Sequence, residues 1–217
     1  LDVQGASAGT VPSREWKRAK YDQPWYPGET LSAGIGQGYW MVTPLQLATA
    51  EATLANRGHW VRPHLAKRVG ETTVEPPFEN TRQDVELDKD AWWDDVFSGM
   101  QKVVSGREGT ARHIGKGLKY EMAGKSGTAQ VFSLGQNQKY DADELRERLR
   151  DHALFTAFAP VDDPQIAIAV IVENAGGGSS HAAGLARALA DEWLLPDDEN
   201  THQAEKLIEE DVEVEGT

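Results

Sequence analysis

One short segment of the sequence combines a lysine, two hydroxyl side chains and two glycines. It reads Gly124-Lys-Ser-Gly-Thr-Ala129, and residues 121–132 around it have the pattern of a β-strand. On a strand, Lys125 offers an ammonium group, and the hydroxyls of Ser126 and Thr128 alternate with it. The glycine between the hydroxyls lets another backbone approach closely. Such an edge can bind an extended peptide by strand addition and hold its terminal carboxylate, and a backbone N–H near Thr128 could face a developing oxyanion.

The Gly-Lys-Ser triplet also occurs in the phosphate-binding P-loop, which is the alternative for this segment. A P-loop requires a second glycine five residues before the glycine of the triplet, and Lys119 stands there instead. A P-loop also leads into a helix, whereas here a strand pattern continues past Ser126. The segment therefore favours a site for a carboxylate over a site for a nucleotide.

Lysine, then serine or threonine, then glycine on a strand is the substrate-binding element of serine acyltransferases that recognise penicillin. Longer segments resemble class B penicillin-binding proteins, and several of them resemble the elongation-specific branch of that family. The resemblance covers residues 2–195 and follows the family's order. The segments that carry it are Pro12-Ser-Arg-Glu-Trp-Lys17, Pro24-Trp-Tyr-Pro-Gly28, Gly34-Ile-Gly-Gln-Gly-Tyr-Trp-Met-Val-Thr-Pro-Leu-Gln-Leu-Ala48, Gly106-Arg-Glu-Gly-Thr-Ala-Arg-His113, Lys125-Ser-Gly-Thr-Ala-Gln-Val-Phe132 and Leu149-Arg-Asp-His-Ala-Leu-Phe-Thr-Ala-Phe-Ala-Pro160.

The resemblance implies roles for individual residues of this strand. Lys125, Ser126 and Thr128 are expected to bind the carboxylate of a D-Ala-D-Ala stem peptide or of a β-lactam. Thr128 is also expected to supply an oxyanion-hole N–H, and Gln130 to line the same strand edge. Ser126 stands where many relatives carry threonine, and both side chains are hydroxyls. The predicted substrate-binding set is Lys125, Ser126, Gly127, Thr128, Ala129 and Gln130, with Lys125 as its catalytic member.

The nucleophile that the family requires is not found in this chain. In the family, a Ser-x-x-Lys element supplies the nucleophile and its base, and a second element resembles Ser-x-Asn or Ser-x-Asp. None of the nine serines is followed by lysine three positions later, or by asparagine or aspartate two positions later. Both elements normally precede the part seen here. We therefore expect the C-terminal part of a transpeptidase domain, inactive when isolated.

For the full-length parent, the resemblance implies a peptidoglycan D,D-transpeptidase that cross-links stem peptides during cell elongation. It would act through a serine acyl-enzyme and be inhibited by β-lactams. No metal and no cofactor are implied. The expected location is the periplasmic face of the inner membrane, reached through an N-terminal helix that this chain lacks. The expected partners are a RodA-type glycosyltransferase and the rod-shape scaffold.

Two other functions remain open for the same fold. The first is a non-catalytic module that senses peptides or β-lactams, which an upstream Ser-x-x-Lys in the full gene would argue against. The second is a β-lactamase-like hydrolase, which would turn over its acyl-enzyme rapidly.

Composition excludes several other classes of protein. The absence of cysteine excludes thiolate zinc sites, iron–sulfur clusters and disulfides, and the six histidines are scattered without a pair at ligand spacing. The longest apolar run, residues 166–172, is far shorter than the roughly 20 residues of a membrane span. The net charge is −13, and no basic stripe offers a site for nucleic acid. Most of that charge lies in residues 196–217, an expected disordered tail beside a domain over residues 1–195.

Periodicity predicts the elements that position the lysine strand. They occur in the order helix, helix, strand, strand, strand, helix. Short links make the sheet antiparallel with helices packed on it, an α/β fold of the α+β type that is incomplete here. The predicted elements are a helix from Pro44 capped by Thr43 and stopped by Gly58, a helix over 88–105 ended by Gly106, strands over 121–132, 153–159 and 165–173, and a last helix capped by Ser179 with Leu185, Leu189 and Trp193 on one side.

The remaining segments are predicted to be mostly irregular. Residues 1–34 lack a sustained period and predict an extended loop. Residues 69–87 are polar and predict a loop with short strands, and residues 141–151 predict a short surface helix. Residues 176–178 are three glycines, interpreted as the turn before the last helix, with an anion-binding nest as the alternative.

Overall fold

The computed structural model describes residues 7–60, 62–73, 84–131, 146–175 and 178–196. Its helices are α1 (Arg14–Tyr21), α2 (Pro27–Gly34), α3 (Pro44–Ala55), α4 (Ala91–Ser105) and α5 (Gly178–Leu194), with 3-10 turns at Arg112–Gly115 and Glu147–Leu149. Its strands are β1 (Arg68–Val69), β2 (Thr72–Thr73), β3 (Ala123–Ala129), β4 (His152–Ala159) and β5 (Ile166–Val172). Among these elements, no helix is both long enough and apolar enough to cross a membrane.

The three longer strands form one antiparallel sheet in the order β3-β4-β5. In its register, Lys125 of β3 lies opposite Thr156 of β4, and Thr156 lies opposite Ala169 of β5. The antiparallel sheet and the hairpin between its last two strands confirm the predicted architecture. The sheet therefore presents the lysine strand at one end, with β4 beside it as a buried support.

Helices α3 and α4 cover one face of the sheet, here called the α3 face. Ala123 of β3 and Phe158 of β4 pair across the strands, and they pack with Ala55 of α3. From α4, Trp93 and Phe97 join the same buried cluster, with the Phe97 and Phe158 ring centroids 4.9 Å apart. The large aromatic side chains of α4 thus fix the start of β3.

Helix α5 covers the opposite face, here called the α5 face. Its alanines at 182, 183, 186 and 190 are fully buried against the sheet, where Phe155 is the large side chain. The three large apolar residues that the sequence places on one side of this helix are not part of that buried side. Leu185, Leu189 and Trp193 are 51%, 52% and 67% exposed. The small alanine side chains let the helix lie close to the strands. The side of the helix that carries the three larger apolar residues therefore faces outward.

The start of α3 follows the predicted capping chemistry. The hydroxyl of Thr43 accepts a hydrogen bond from the Gln46 backbone N–H at 3.1 Å. In return, Gln46 Oε1 accepts from the Thr43 N–H at 2.9 Å. This reciprocal pair satisfies two N–H groups that a helix start leaves unpaired, and Pro44 occupies the first helical position. The helix is therefore anchored at the end nearest the segment 34–43.

The prediction of an extended loop over residues 1–34 was wrong for its described part. Helices α1 and α2 form there, each eight residues long. Ser13 caps α1 by accepting from the Trp16 N–H at 3.0 Å. An ion pair between the buried Lys17 and the partly exposed Glu29 then joins the two helices, with the Tyr26 ring 4.3 Å from the Lys17 Nζ. Periodicity missed them because each spans barely two turns and is held by polar contacts.

Other predictions have mixed outcomes. Helix α4 begins at Ala91, three residues later than predicted, and its end at Gly106 is confirmed. Helix α5 begins at Gly178, so Ser179, the predicted N-cap, lies inside the helix. Strands β1 and β2 confirm short strands after residue 68, and residues 147–149 form a 3-10 turn within the predicted surface helix. Residues 74–83, 132–145, 176–177 and the acidic tail from 197 lie outside the described residues.

Candidate substrate-binding site

The outer side of β3 is an edge within the part of the chain that the structure describes, because β4 pairs with its other side. Two hydrogen bonds identify which backbone groups face this edge. Lys125 Nζ donates to the Ser126 carbonyl at 2.7 Å, and Gln37 Nε2 donates to the Thr128 carbonyl at 2.8 Å. In an antiparallel ladder, the N–H and C=O of one residue point the same way. The N–H of Thr128 therefore also faces the edge.

Side chains reach the edge from both faces of the sheet. Lys125 is exposed and shares the α3 face with Thr156, its cross-strand partner. Ser126 and Thr128 point to the other face. There the Ser126 Oγ lies 3.2 Å from the Thr110 Oγ1, so the loop after α4 holds this hydroxyl. An ammonium group on one side and two hydroxyls on the other provide donors suited to a carboxylate placed along the edge.

The two glycines of the segment meet different neighbours. A Cβ at Gly124 would lie 2.8 Å from the Phe155 ring and from the Thr156 carbonyl oxygen. A Cβ at Gly127 would meet only the Leu154 Cβ, at 3.4 Å. Close approach within the sheet thus requires glycine at 124. At Gly127, the predicted approach of a bound peptide stays a prediction.

The last two predicted site residues lie at the end of β3. Ala129 lies opposite His152 in the register. Successive residues of a strand direct their backbone N–H and C=O to opposite sides, so those of Ala129 face β4 while those of Thr128 face the edge. Gln130 follows the strand and is exposed. The structure therefore places all six predicted residues along one strand and its end, with the outward backbone groups at Ser126 and Thr128.

Two residues at this edge were not predicted as site residues. Thr110 contacts Ser126, and Gln37 reaches Thr128 from 91 residues away in sequence. Both lie in segments that carry the family resemblance, residues 34–48 and 106–113. That resemblance was the only signal available, because no spacing rule relates residues so far apart in the chain.

A buried acid lies beneath the strand pair on the α3 face. Glu51 of α3 is only 6% exposed and lies beside Thr156, the residue opposite Lys125. Its Oε1 has no hydrogen-bond partner among the described residues. Burial raises the pKa of the Glu51 carboxyl to about 7, against a smaller lowering by the Thr156 hydroxyl. The support beneath β3 therefore contains a group that titrates near neutral pH.

Comparison with known proteins shows which family the chain is similar to. Residues 1–191 match the model described as penicillin binding protein transpeptidase domain. The peptidoglycan D,D-transpeptidase MrdA of Haemophilus influenzae is 47% identical over 196 residues, which are 89% of this chain and 30% of the relative. MrdA of Escherichia coli K12 is 39% identical over 206 residues, 94% of this chain and 32% of the relative.

Solved structures agree with the sequence relatives. Penicillin-binding protein 2 (PBP2) of Pseudomonas aeruginosa, in complex with WCK 5153, gives a TM-score of 0.78 at 49% identity, covering 91% of this chain and 40% of that one. The complex of PBP2 and MreC from Helicobacter pylori gives 0.68 at 28% identity, covering 88% and 32%.

The chain belongs to the penicillin-binding protein transpeptidase family. Within that family it is similar to MrdA and PBP2, which confirms the branch predicted from the sequence. The chain spans about a third of the length of the curated relatives it matches.

Proposed function

We propose that this chain is the substrate-binding part of a serine-type peptidoglycan D,D-transpeptidase whose nucleophile lies outside it. The observation that carries the proposal is the outer edge of β3. An ammonium group, two hydroxyls and the outward N–H of Thr128 meet there within four residues. A peptide ending in D-Ala-D-Ala, or a β-lactam, presents the carboxylate and the reacting carbonyl that these groups fit.

In the proposed reaction, Lys125, Ser126 and Thr128 hold the carboxylate of the stem peptide. A serine from outside this chain attacks the penultimate D-Ala carbonyl, and the oxyanion that forms accepts a hydrogen bond from the Thr128 N–H. The peptide bond breaks and terminal D-Ala leaves with a proton. An amine from a neighbouring stem peptide then displaces the serine and forms the cross-link. A β-lactam reacts at the same step and leaves a stable acyl-enzyme. The chemistry needs no metal and no cofactor.

The cellular setting is also a proposal. The relative from Helicobacter pylori was solved in complex with MreC, which supports the rod-shape scaffold as a partner for the protein that contains this chain. A RodA-type glycosyltransferase and a location at the periplasmic face of the inner membrane follow from the same family. The anchor would be an N-terminal helix outside this chain.

Labelling with a fluorescent penicillin tests the proposal. The full-length protein should form a covalent adduct that survives heating in detergent, whereas the 217-residue chain alone should form none. A stable adduct on the chain alone would contradict the assignment of the nucleophile to another part. Failure of the correctly folded full-length protein to acylate would favour the non-catalytic sensing module, and rapid hydrolysis of the adduct would favour a β-lactamase-like hydrolase.

A further inference from the structure

The hydrogen bond from Gln37 to the Thr128 carbonyl joins the segment between α2 and α3 to the substrate-binding edge. We infer that Gln37 is a positioning residue for acylation, which holds the Thr128 end of β3 in the geometry that the reaction needs. The inference rests on the proposed function, because it assigns Gln37 a part in the same site.

The segment around Gln37 is built to aim this one side chain. Gly36 and Gly38 flank it with φ values of +75° and +78°, in a left-handed region that residues other than glycine rarely adopt. The Gln37 backbone N–H donates to the Ser32 carbonyl at 2.9 Å, which closes the turn onto α2. Trp40 Nε1 donates to the Ala33 carbonyl, also at 2.9 Å. Because these bonds fix the chain on both sides of Gln37, its side-chain amide is held facing β3.

The contact acts on a residue whose backbone is proposed to stabilise the oxyanion. Thr128 lies one residue before the end of β3, and its outward groups have no strand beside them in the described part of the chain. A hydrogen bond to its carbonyl restrains the end of the strand and thereby the direction of the Thr128 N–H. A carbonyl oxygen has two lone pairs, so the Gln37 bond leaves room for a donor on the substrate.

The same contact could have the opposite role, in which the Gln37 amide blocks substrate binding. If Gln37 occupied an acceptor that the substrate needs, binding would have to displace the amide, and removing it would accelerate acylation. The fixed turn argues against displacement, because the Gln37 backbone N–H and the Trp40 indole N–H both donate to carbonyls of α2 and hold this segment in place. Positioning and blocking therefore predict changes of opposite sign.

The test is stopped-flow acylation of the full-length protein by a fluorescent penicillin, which separates the dissociation constant of the first complex, Ks, from the acylation rate constant, k2. For Gln37→Ala we expect k2 to fall about tenfold, less than the loss of a direct oxyanion donor, while Ks changes by less than about twofold. Gln37→Glu should lower k2 further, because an ionised carboxylate cannot donate and faces the Thr128 carbonyl.

The matched control is Gln165→Ala. Gln165 Nε2 also donates to a backbone carbonyl, that of Asp163, but in the turn between β4 and β5. The k2 of Gln165→Ala should equal that of the wild type. The melting temperatures of the wild type, the two Gln37 variants and Gln165→Ala should match. An unchanged or raised k2 for Gln37→Ala in a protein whose wild type acylates normally would overturn the inference alone. A lowered melting temperature with a matching loss of competent protein would also overturn it, whereas an unreactive wild type would refute the proposed function itself.

Discussion

The ring of Phe155 lies directly against the backbone of Gly124, so that a Cβ at position 124 would come within 2.8 Å of two ring carbons. Both residues are buried on the α5 face. The Thr156 carbonyl oxygen lies equally close to the same point. The glycine that precedes Lys125 is therefore a packing requirement of the β3–β4 pair, and only indirectly a requirement of binding.

Gly124→Ala should consequently destabilise the protein. The added methyl group must move the Phe155 ring or the paired backbone, and such overpacking costs roughly 1–3 kcal/mol. Urea unfolding of the full-length protein, followed by tryptophan fluorescence, measures this difference. Gly99→Ala is the matched control, because a Cβ there meets nothing within 4 Å and Gly99 lies inside α4. It should be neutral or stabilising by about 0.5–1 kcal/mol. Equal stability of the two variants would contradict the packing argument.

Lys125→Ala should slow acylation of the full-length protein. The substituted edge keeps both hydroxyls but loses the charged donor to the substrate carboxylate, an interaction worth roughly 1.5–3 kcal/mol. We expect the second-order rate constant with a fluorescent penicillin to fall roughly tenfold to a hundredfold. The control Lys119→Ala removes the same charge from an exposed residue before β3. Rates within about twofold of the wild type for Lys125→Ala would refute its assigned role.

The sequence pattern was sufficient to predict those elements whose structure depends on neighbouring residues alone. The hairpin of β4 and β5 and the capped start of α3 follow from local residues, because alternation and capping act over two to four positions. The outward side of α5 could not be predicted, since hydrophobicity favours burying Leu185 over Ala186, and only the short distance between the helix and the sheet selects the smaller side chain. The role of Gln37 at the site could not be predicted for another reason: only tertiary packing brings it to Thr128.

Glu51→Gln should change how stability depends on pH. Burial raises the folded-state pKa of this carboxyl to about 7, whereas in the unfolded chain the pKa has its ordinary value of 4.5. Below pH 4.5 the group is protonated in both states and its contribution to stability is complete. Between pH 4.5 and 7 the unfolded state ionises first, so stability falls, in total by about 3 kcal/mol.

The measurement is the free energy of unfolding from pH 4.5 to 8. Relative to the wild type, Glu51→Gln should be increasingly favoured as the pH rises, and the difference should level off above pH 7. Glu108→Gln is the control, because both partners of the Glu108–Arg107 pair are 93% exposed. It should parallel the wild type at every pH. A difference that stays constant with pH for Glu51→Gln would show that the carboxyl ionises normally.

Asp191→Ala should destabilise the protein more than any surface charge change. Arg187 and Asp191 are 4% and 2% exposed and pair at 3.2 Å, and the Tyr120 hydroxyl donates to the same carboxylate at 2.6 Å. Burial and the adjacent carboxylate raise the pKa of Tyr120, so it stays a neutral donor. The Arg187 Nη1 also donates to the carbonyls of Ile114 and Lys116, which ties α5 to the 3-10 turn.

Removing the carboxylate leaves the Arg187 charge buried without its counter-ion, which costs about 3–5 kcal/mol. Asp94→Ala is the matched control, because its pair with Arg57 has side chains 66% and 50% exposed. Exposed pairs contribute less than about 1 kcal/mol. Urea unfolding should therefore separate the two variants by at least about 2 kcal/mol. Similar stabilities would mean that solvent reaches Arg187 once Asp191 is gone, and that α5 is held to the sheet by its alanines rather than by this polar network.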